Sequence, residues 1–327
     1  MVRVDVDPVD PSPEVIARAA RLLRSGRLVA FPTETVYGLG ANALDPSAVE
    51  RIYVAKGRPG YNPLIVHVAD VAAARNLVRE WPDVAETLAE AFWPGPLTLV
   101  LPKRPMIPDA VTANLPSVAV RVPAHPVAQA LLVEVAIPIA APSANRSMLL
   151  SPTTGSHVEK SLGETIDLIL DAGATPVGIE STVIDLTTPE PTLLRPGTIS
   201  LTQIEALIGP VSTARRVSGP TARASPGMLD RHYAPRAKLL LTDAKHLPSL
   251  VDQQRASARS VGALVIDAPV EGENVVRMPP EPLGYASRLY GALHALDEAG
   301  CDVIVVERVP DGAEWLGVRD RLSRAAE

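Results

Sequence analysis

The sequence predicts an α/β protein: a larger layered domain followed by a smaller one. Three observations carry this. Short apolar strand patterns alternate with helical ones through residues 12–186. A segment rich in Ser, Thr, Gly, Pro and Arg, without periodicity, interrupts the pattern at residues 210–236. Four more strand patterns and an amphipathic helix follow it. The 327-residue length suits two domains of this kind.

Each element has a local reason. "SPEVIARAARLLRSG" reads as a helix, with Ser12 as N-cap, Pro13 at the first position and Gly26 as stop. Val15, Ala19, Leu22 and Leu23 form its expected apolar stripe. "LVAF" at residues 28–31 is a short strand. "DPSAVERIYVAKG" is a second helix, capped by Asp45, opened by Pro46 and closed by Gly57. "PLIVHV", "LTLVLP", "VAVRVP", "IPIAAP", "IDLIL" and "TVIDL" read as further strands. After the interruption, "AKLLLTD", "VGALVIDA", "ENVVRM" and "CDVIVVE" are strands. "GYASRLYGALHALDEAG" is a helix with Leu289, Leu293 and Leu296 on one face. The division expected is residues 1–209, a basic linker at 210–236, and a small α/β domain at 237–327.

Composition narrows the function classes. Hydrophobic residues make up 46% and charged residues 21%, an ordinary globular balance. Aromatic residues are only 3%, which disfavours stacking platforms for single-stranded nucleic acid. The 33 prolines, about twice the usual share, imply many extended or sharply turned segments. Cys301 alone permits no internal disulfide or cysteine metal cluster, and its apolar surroundings predict a buried thiol. The acidic N-terminus has no apolar signal core, and no apolar run is long enough to span a bilayer, so a cytoplasmic protein without membrane contact is expected. The net charge of −6 argues against a broad nucleic-acid-binding face. Residues 210–236 depart from it, with five arginines against one aspartate.

The chemistry-bearing residues cluster at strand ends, where α/β sheets bind ligands. No metalloprotease, Walker or nucleophile-elbow pattern is present, and the six histidines are scattered. "GLGANA" at residues 38–43 matches a dinucleotide fingerprint in letters only, because no long helix opens directly from it. In "YVAKGRPGYNPLIVHV", Gly57, Pro59, Gly60 and Pro63 stiffen a turn from which Lys56, Arg58 and Asn62 project. Preorganised cations of this kind suit a triphosphate; the alternative is that both merely complement a helix C-terminus. His67 follows on a strand, as a ligand or as a satisfied core histidine. Arg121 sits inside the apolar strand "VAVRVP" and needs an anionic partner: a substrate carboxylate or an internal Asp or Glu. "PTETVYG", "APSANRS", "GIEST" and "LLRPG" add further polar groups at strand ends.

Taken in order, "FPTETVYGLGANA", "KGRPGYNPLIVHV", "FWPGPLTLVL", "VAVRVP", "APSANRS…SPTT", "GIESTVIDL" and "LLRPG" resemble the YrdC-like threonylcarbamoyl-AMP synthase family. "SPGMLDRHYAP" and the second domain resemble its long, two-domain form. The resemblance implies a YrdC-like twisted mixed sheet with helices around a concave cavity, followed by a smaller Rossmann-like domain. It implies synthesis of L-threonylcarbamoyl-AMP from L-threonine, bicarbonate and ATP with release of pyrophosphate. The product would feed threonylcarbamoyladenosine formation beside the tRNA anticodon, through downstream transfer proteins. Direct tRNA binding is expected to be weak or absent. By motif position, Thr35, His67, Arg121, the backbone at Ala141, and Ser181 would hold threonine. Lys56, Arg58, Asn62, Ser117, Ser143, Asn145, Ser151, Arg195 and Tyr233 would hold ATP, with Mg2+ accompanying it. No protein nucleophile is implied; catalysis would rest on positioning and charge neutralisation, with Lys56 and Arg58 foremost. The chain departs from the family at Met148, Leu149 and Leu150, where glycine usually follows "NxS". The basic linker would act as a lid over the cavity. Two rival readings are a double-stranded RNA-binding module and a carbamoyl-adenylate-forming carbamoyltransferase.

Overall fold

The computed structural model describes residues 1–214, 233–257 and 259–326. Among them, eleven strands form one sheet and four form another. Most of the segment read as a lid, residues 215–232, lies outside the described residues, including the histidine of "HYAP".

The large sheet runs Val2–Asp5, Leu168–Asp171, Val29–Pro32, Tyr37–Asn42, Ile139–Ala140, Ile65–His67, Ser117–Arg121, Leu97–Pro102, Thr182–Asp185, Thr192–Arg195 and Ser212–Thr213. Parallel and antiparallel pairs alternate irregularly, so the sheet is mixed as expected. Its strands are buried almost throughout, because apolar clusters cover both faces. One register matters for function. Ile65–His67 pairs in parallel with Ser117–Arg121 and sets His67 opposite Arg121.

Several segments differ from the expectation. The first helix, Pro13–Arg24, buries Ile16, Ala19, Ala20 and Leu23, a stripe rotated from the one predicted; Val15 and Leu22 are only half-buried. Both sets have helical spacing and share Ala19 and Leu23; packing against the helix Pro126–Val135 selects the set with the adjacent alanines Ala19 and Ala20, which allow close approach. Ser12 makes no side-chain cap, whereas Asp45 accepts from the Ser47 amide at 2.9 Å. "GLGANA" is a buried strand hydrogen-bonded on both sides, so its glycines serve sheet packing. Helices at Asp83–Phe92, Gly155–Leu162, Leu201–Ile208, Leu247–Ala256 and Leu316–Ala326 were not among the elements expected from the sequence.

The small domain is a parallel four-stranded sheet in the order Lys238–Thr242, Val303–Glu307, Val261–Val265, Val275–Arg277. Its long helix, Pro282–Glu298, buries Leu289, Leu293 and Leu296 as expected, and Cys301 is buried beside it. This domain packs tightly on the loops that follow the large sheet's strands. A Cβ on Gly178, whose φ is +80°, would lie 2.5 Å from the Ala286 carbonyl oxygen. One on Gly317 would lie 2.5 Å from the Gly197 carbonyl oxygen. Val36, Leu150, Ile179 and Tyr233 belong to the small domain's own apolar cluster. None of the described helices is long and apolar enough to cross a membrane.

Candidate active site

The strand ends and loops converge on one cavity. Thr33, Thr35, Val36, Gly38, Arg58, Ile65, His67, Arg121, Ala141, Pro142, Ser143, Glu180, Arg195 and Tyr233 line it. Eight of the sequence-predicted residues are therefore together on its wall: Thr35, Arg58, His67, Arg121, Ala141, Ser143, Arg195 and Tyr233.

On that wall, Arg121 is held by three partners. Its Nε donates to the Gly95 carbonyl at 3.2 Å and its Nη1 to Thr35 Oγ1 at 3.0 Å. Its Nη2 donates to Glu34 Oε1 at 2.5 Å. The other Glu34 oxygen accepts from the Ala124 amide at 3.0 Å. The internal carboxylate is thus present, yet it does not exhaust the arginine. Of a guanidinium's five N–H donors, one on Nη1 and one on Nη2 stay unclaimed among the described residues. His67, opposite Arg121, is buried with its Nδ1 unpartnered. Burial, and then Arg121, push its imidazole down to about 3, so the ring is neutral at physiological pH.

Arg58, also on the wall, is braced by its own turn. Nε donates to the Asn62 carbonyl at 2.9 Å and Nη2 to the Pro63 carbonyl at 2.8 Å. The rigid loop read from the prolines therefore fixes the guanidinium through backbone oxygens, and three of its N–H donors stay unclaimed among the described residues. Burial pulls it down to about 10, so it keeps its charge at neutral pH. Arg195 lies beneath, donating from Nε to the Ser181 carbonyl at 3.0 Å and from Nη2 to Ser181 Oγ at 3.1 Å.

Residues 21–197 match the family model for Sua5, YciO and YrdC, described as telomere recombination. Residues 199–327 match the model described as the threonylcarbamoyl-AMP synthase C-terminal domain. The chain belongs to the two-domain threonylcarbamoyl-AMP synthase family. It is 44% identical to the threonylcarbamoyl-AMP synthase of Pyrococcus abyssi over 94% of this chain and 93% of that one. It is 44% identical to that of Bacillus subtilis over 99% and 96% of the two chains. The crystal structure of Pyrococcus abyssi Sua5 complexed with L-threonine superposes with a TM-score of 0.95 at 41% identity, covering 100% of this chain and 98% of that one.

The remaining residues singled out in this synthase-family chain stand behind the wall. Lys56 Nζ donates to the carbonyls of Ser143 and Asn145, both at 2.5 Å, and so ties down the "APSANRS" loop. Burial and then Arg58 push its ammonium well below the usual lysine range. Asn145 turns its amide to the Arg146 and Leu149 carbonyls, at 2.9 and 2.7 Å. Asn62 is buried with Nδ2 unpartnered. Ser181 Oγ sits 2.8 Å from Thr98 Oγ1. The Ala141 amide donates to the Ile65 carbonyl at 2.9 Å, which leaves the Ala141 carbonyl as that residue's backbone handle. Ser117 opens its strand opposite Pro102, away from the cavity wall. Met148, where the family usually has glycine, takes a left-handed φ of 72°, and its carbonyl accepts from the Ala234 amide at 3.1 Å. The loop thus keeps the backbone shape that glycine favours, and it pairs with the chain just after Tyr233.

Two acids went unassigned in the sequence. Glu34 lies in "PTETVYG" and Glu180 in "GIEST"; both motifs were singled out, but nothing local distinguished these acids from surface ones. Glu180 lines the cavity, accepts from Ser151 Oγ, and accepts from Arg321 Nε at 2.7 Å and the Tyr290 hydroxyl at 3.2 Å. Burial pushes its carboxyl up, but Arg321, Arg195 and the Ser151 hydroxyl together hold it below the usual carboxylate range.

Proposed function

We propose that the chain condenses L-threonine, bicarbonate and ATP into L-threonylcarbamoyl-AMP and pyrophosphate. The observation that supports this best is that one cavity is lined by two guanidiniums, Arg121 and Arg58, each with N–H donors unclaimed among the described residues. Arg121 offers one N–H from each terminal nitrogen, a match for an amino-acid carboxylate. Arg58 offers three, a match for phosphate oxygens. Thr35, His67, Ser181 and the Ala141 carbonyl would surround the threonine. Lys56, Asn62, Ser117, Ser143, Asn145, Ser151, Arg195 and Tyr233 would shape the nucleotide side, several of them by holding loops.

The chemistry follows from what these groups can do. A neutral His67 adds no positive charge beside the threonine amine, which favours its nucleophilic free base. Bicarbonate loses its hydroxyl as water to give CO2, the amine nitrogen bonds to that carbon as one C–O π pair moves onto oxygen, and the nitrogen gives up a proton to solvent, leaving a carbamate. A carbamate oxygen attacks the α-phosphorus, the bond to the bridging oxygen breaks, and pyrophosphate leaves with the electron pair. Arg58 and Arg195 would stabilise the charge that grows on the leaving phosphates. Positioning threonine, bicarbonate and ATP together in one cavity would supply the entropic part of the rate. Magnesium would arrive on the triphosphate as part of the substrate. Glu180 is the carboxylate among the described lining residues, and Arg321, Ser151 and Tyr290 already occupy it. The product would pass to a transferase acting on tRNA.

Pyrophosphate release tests this. It is expected to require both L-threonine and bicarbonate, and release indifferent to either would overturn the reading. Salt-sensitive binding of double-stranded RNA without pyrophosphate release would support the RNA-binding rival, and carbamoyl-phosphate-dependent release the carbamoyltransferase.

A further inference from the structure

The small domain reaches the cavity-lining Glu180 through two side chains, the Tyr290 hydroxyl and the Arg321 guanidinium, and only the second carries charge. Arg321, on the helix Leu316–Ala326, is fully buried. Its Nε donates to Glu180 Oε2 at 2.7 Å and its Nη2 to the Glu180 carbonyl at 3.3 Å. Its Nη1 donates to the Pro196 carbonyl at 3.0 Å and to Asp320 Oδ2 at 2.9 Å. The guanidinium carbon stands 5.1 Å from the Tyr233 ring centre. One guanidinium therefore fastens "GIEST" to "LLRPG" and packs against the ring of Tyr233, a residue of the cavity wall. Gly317, four residues earlier on the same helix, lets the helix backbone come down on Gly197.

Resting on the function proposed above, we propose that Arg321 is a positioning residue for ATP. Its task is electrostatic. The cavity must accept a polyanion, yet Glu180 puts a buried carboxylate on its wall. Arg321 pairs with that carboxylate directly and is the largest influence holding it charged, ahead of Arg195, so less of its charge is left for the cations that face the phosphates. Unpaired, it would repel the phosphates and compete for the cations they need. The threonine end depends on different groups, since Arg121 is balanced by Glu34. Loss of Arg321 should therefore weaken ATP binding and spare threonine.

The test titrates full-length protein calorimetrically with α,β-methylene-ATP and, separately, with L-threonine. Arg321→Met is expected to weaken nucleotide binding by at least about tenfold while the L-threonine Kd moves less than about twofold. The double variant Glu180→Gln/Arg321→Met removes both charges, and nucleotide affinity should return to within about threefold of the parent. Arg321→Lys keeps the charge and should fall between the two; it decides the matter if Arg321→Met does not fold. Equal losses for both ligands, no loss for the nucleotide, or no recovery in the double variant would each overturn the proposal. A parent protein that binds neither ligand would instead overturn the proposed function, so the two failures are distinct.

Discussion

Replacing Glu34 by glutamine isolates the claim that Arg121 carries a structural anion and still has capacity for a substrate. Both Glu34 oxygens accept, one from Arg121 and one from the Ala124 amide. Glutamine supplies one acceptor oxygen and one NH2, so a donor must face a donor. The buried pair also loses its negative partner; its side chains are only 4% and 8% exposed. Breaking such a pair costs about 3–5 kcal/mol. At roughly 2 °C per kcal/mol for a chain of this size, the ligand-free melting temperature should fall by about 6–10 °C. L-threonine at a hundred times its Kd stabilises the parent by about 2.7 kcal/mol. In Glu34→Gln the threonine carboxylate also supplies the missing anion, so its stabilisation should exceed the parent's. Differential scanning calorimetry with and without L-threonine reads both quantities. Melting within about 1 °C of the parent, or a smaller threonine-induced shift than the parent's, would refute the reasoning.

Three other predictions follow from the same geometry. Arg58→Ala removes the donors aimed at phosphate and should weaken nucleotide binding at least about tenfold in a titration, with threonine binding unchanged. His67 is held down to about 3, so below the ordinary value of 6.5 the unfolded chain takes up a proton that the folded chain refuses. It costs nothing above that pH, and as pH falls toward the folded value it removes about 1.4 kcal/mol of stability per pH unit. His67→Gln should therefore flatten the loss of urea stability between pH 6.5 and 5, and an unchanged slope would contradict the burial argument. Gly178→Ala combines a φ of +80° with backbone 2.5 Å away, and should cost about 1–3 kcal/mol in melting experiments.

How much of this was legible follows from what each signal depends on. The turn from Gly57 to Pro63 was readable because proline and glycine fix backbone locally, and that backbone is what braces Arg58. Arg121 was readable as an arginine in an apolar strand, but its partner was not, because Glu34 lies 87 residues away. Lys56 was read as a phosphate ligand from its neighbours; that its ammonium also ties down two carbonyls of the "APSANRS" loop was not readable, because those carbonyls lie 87 and 89 residues away. Tyr37–Asn42 was not among the strands expected, because its glycines suppress strand propensity, and sheet pairing on both sides overrides that. Arg321 carried no signal at all. Its meaning depends on a contact with Glu180, 141 residues away in the chain, that exists only once the two domains dock.

The most direct measurement is a crystal structure of the full chain with L-threonine and α,β-methylene-ATP bound together. The account predicts the threonine carboxylate on the terminal nitrogens of Arg121 and the phosphates against Arg58 and Arg195, with the amine facing the α-phosphate. Ligands bound elsewhere, or phosphates on Arg121 and the amino acid on Arg58, would contradict it.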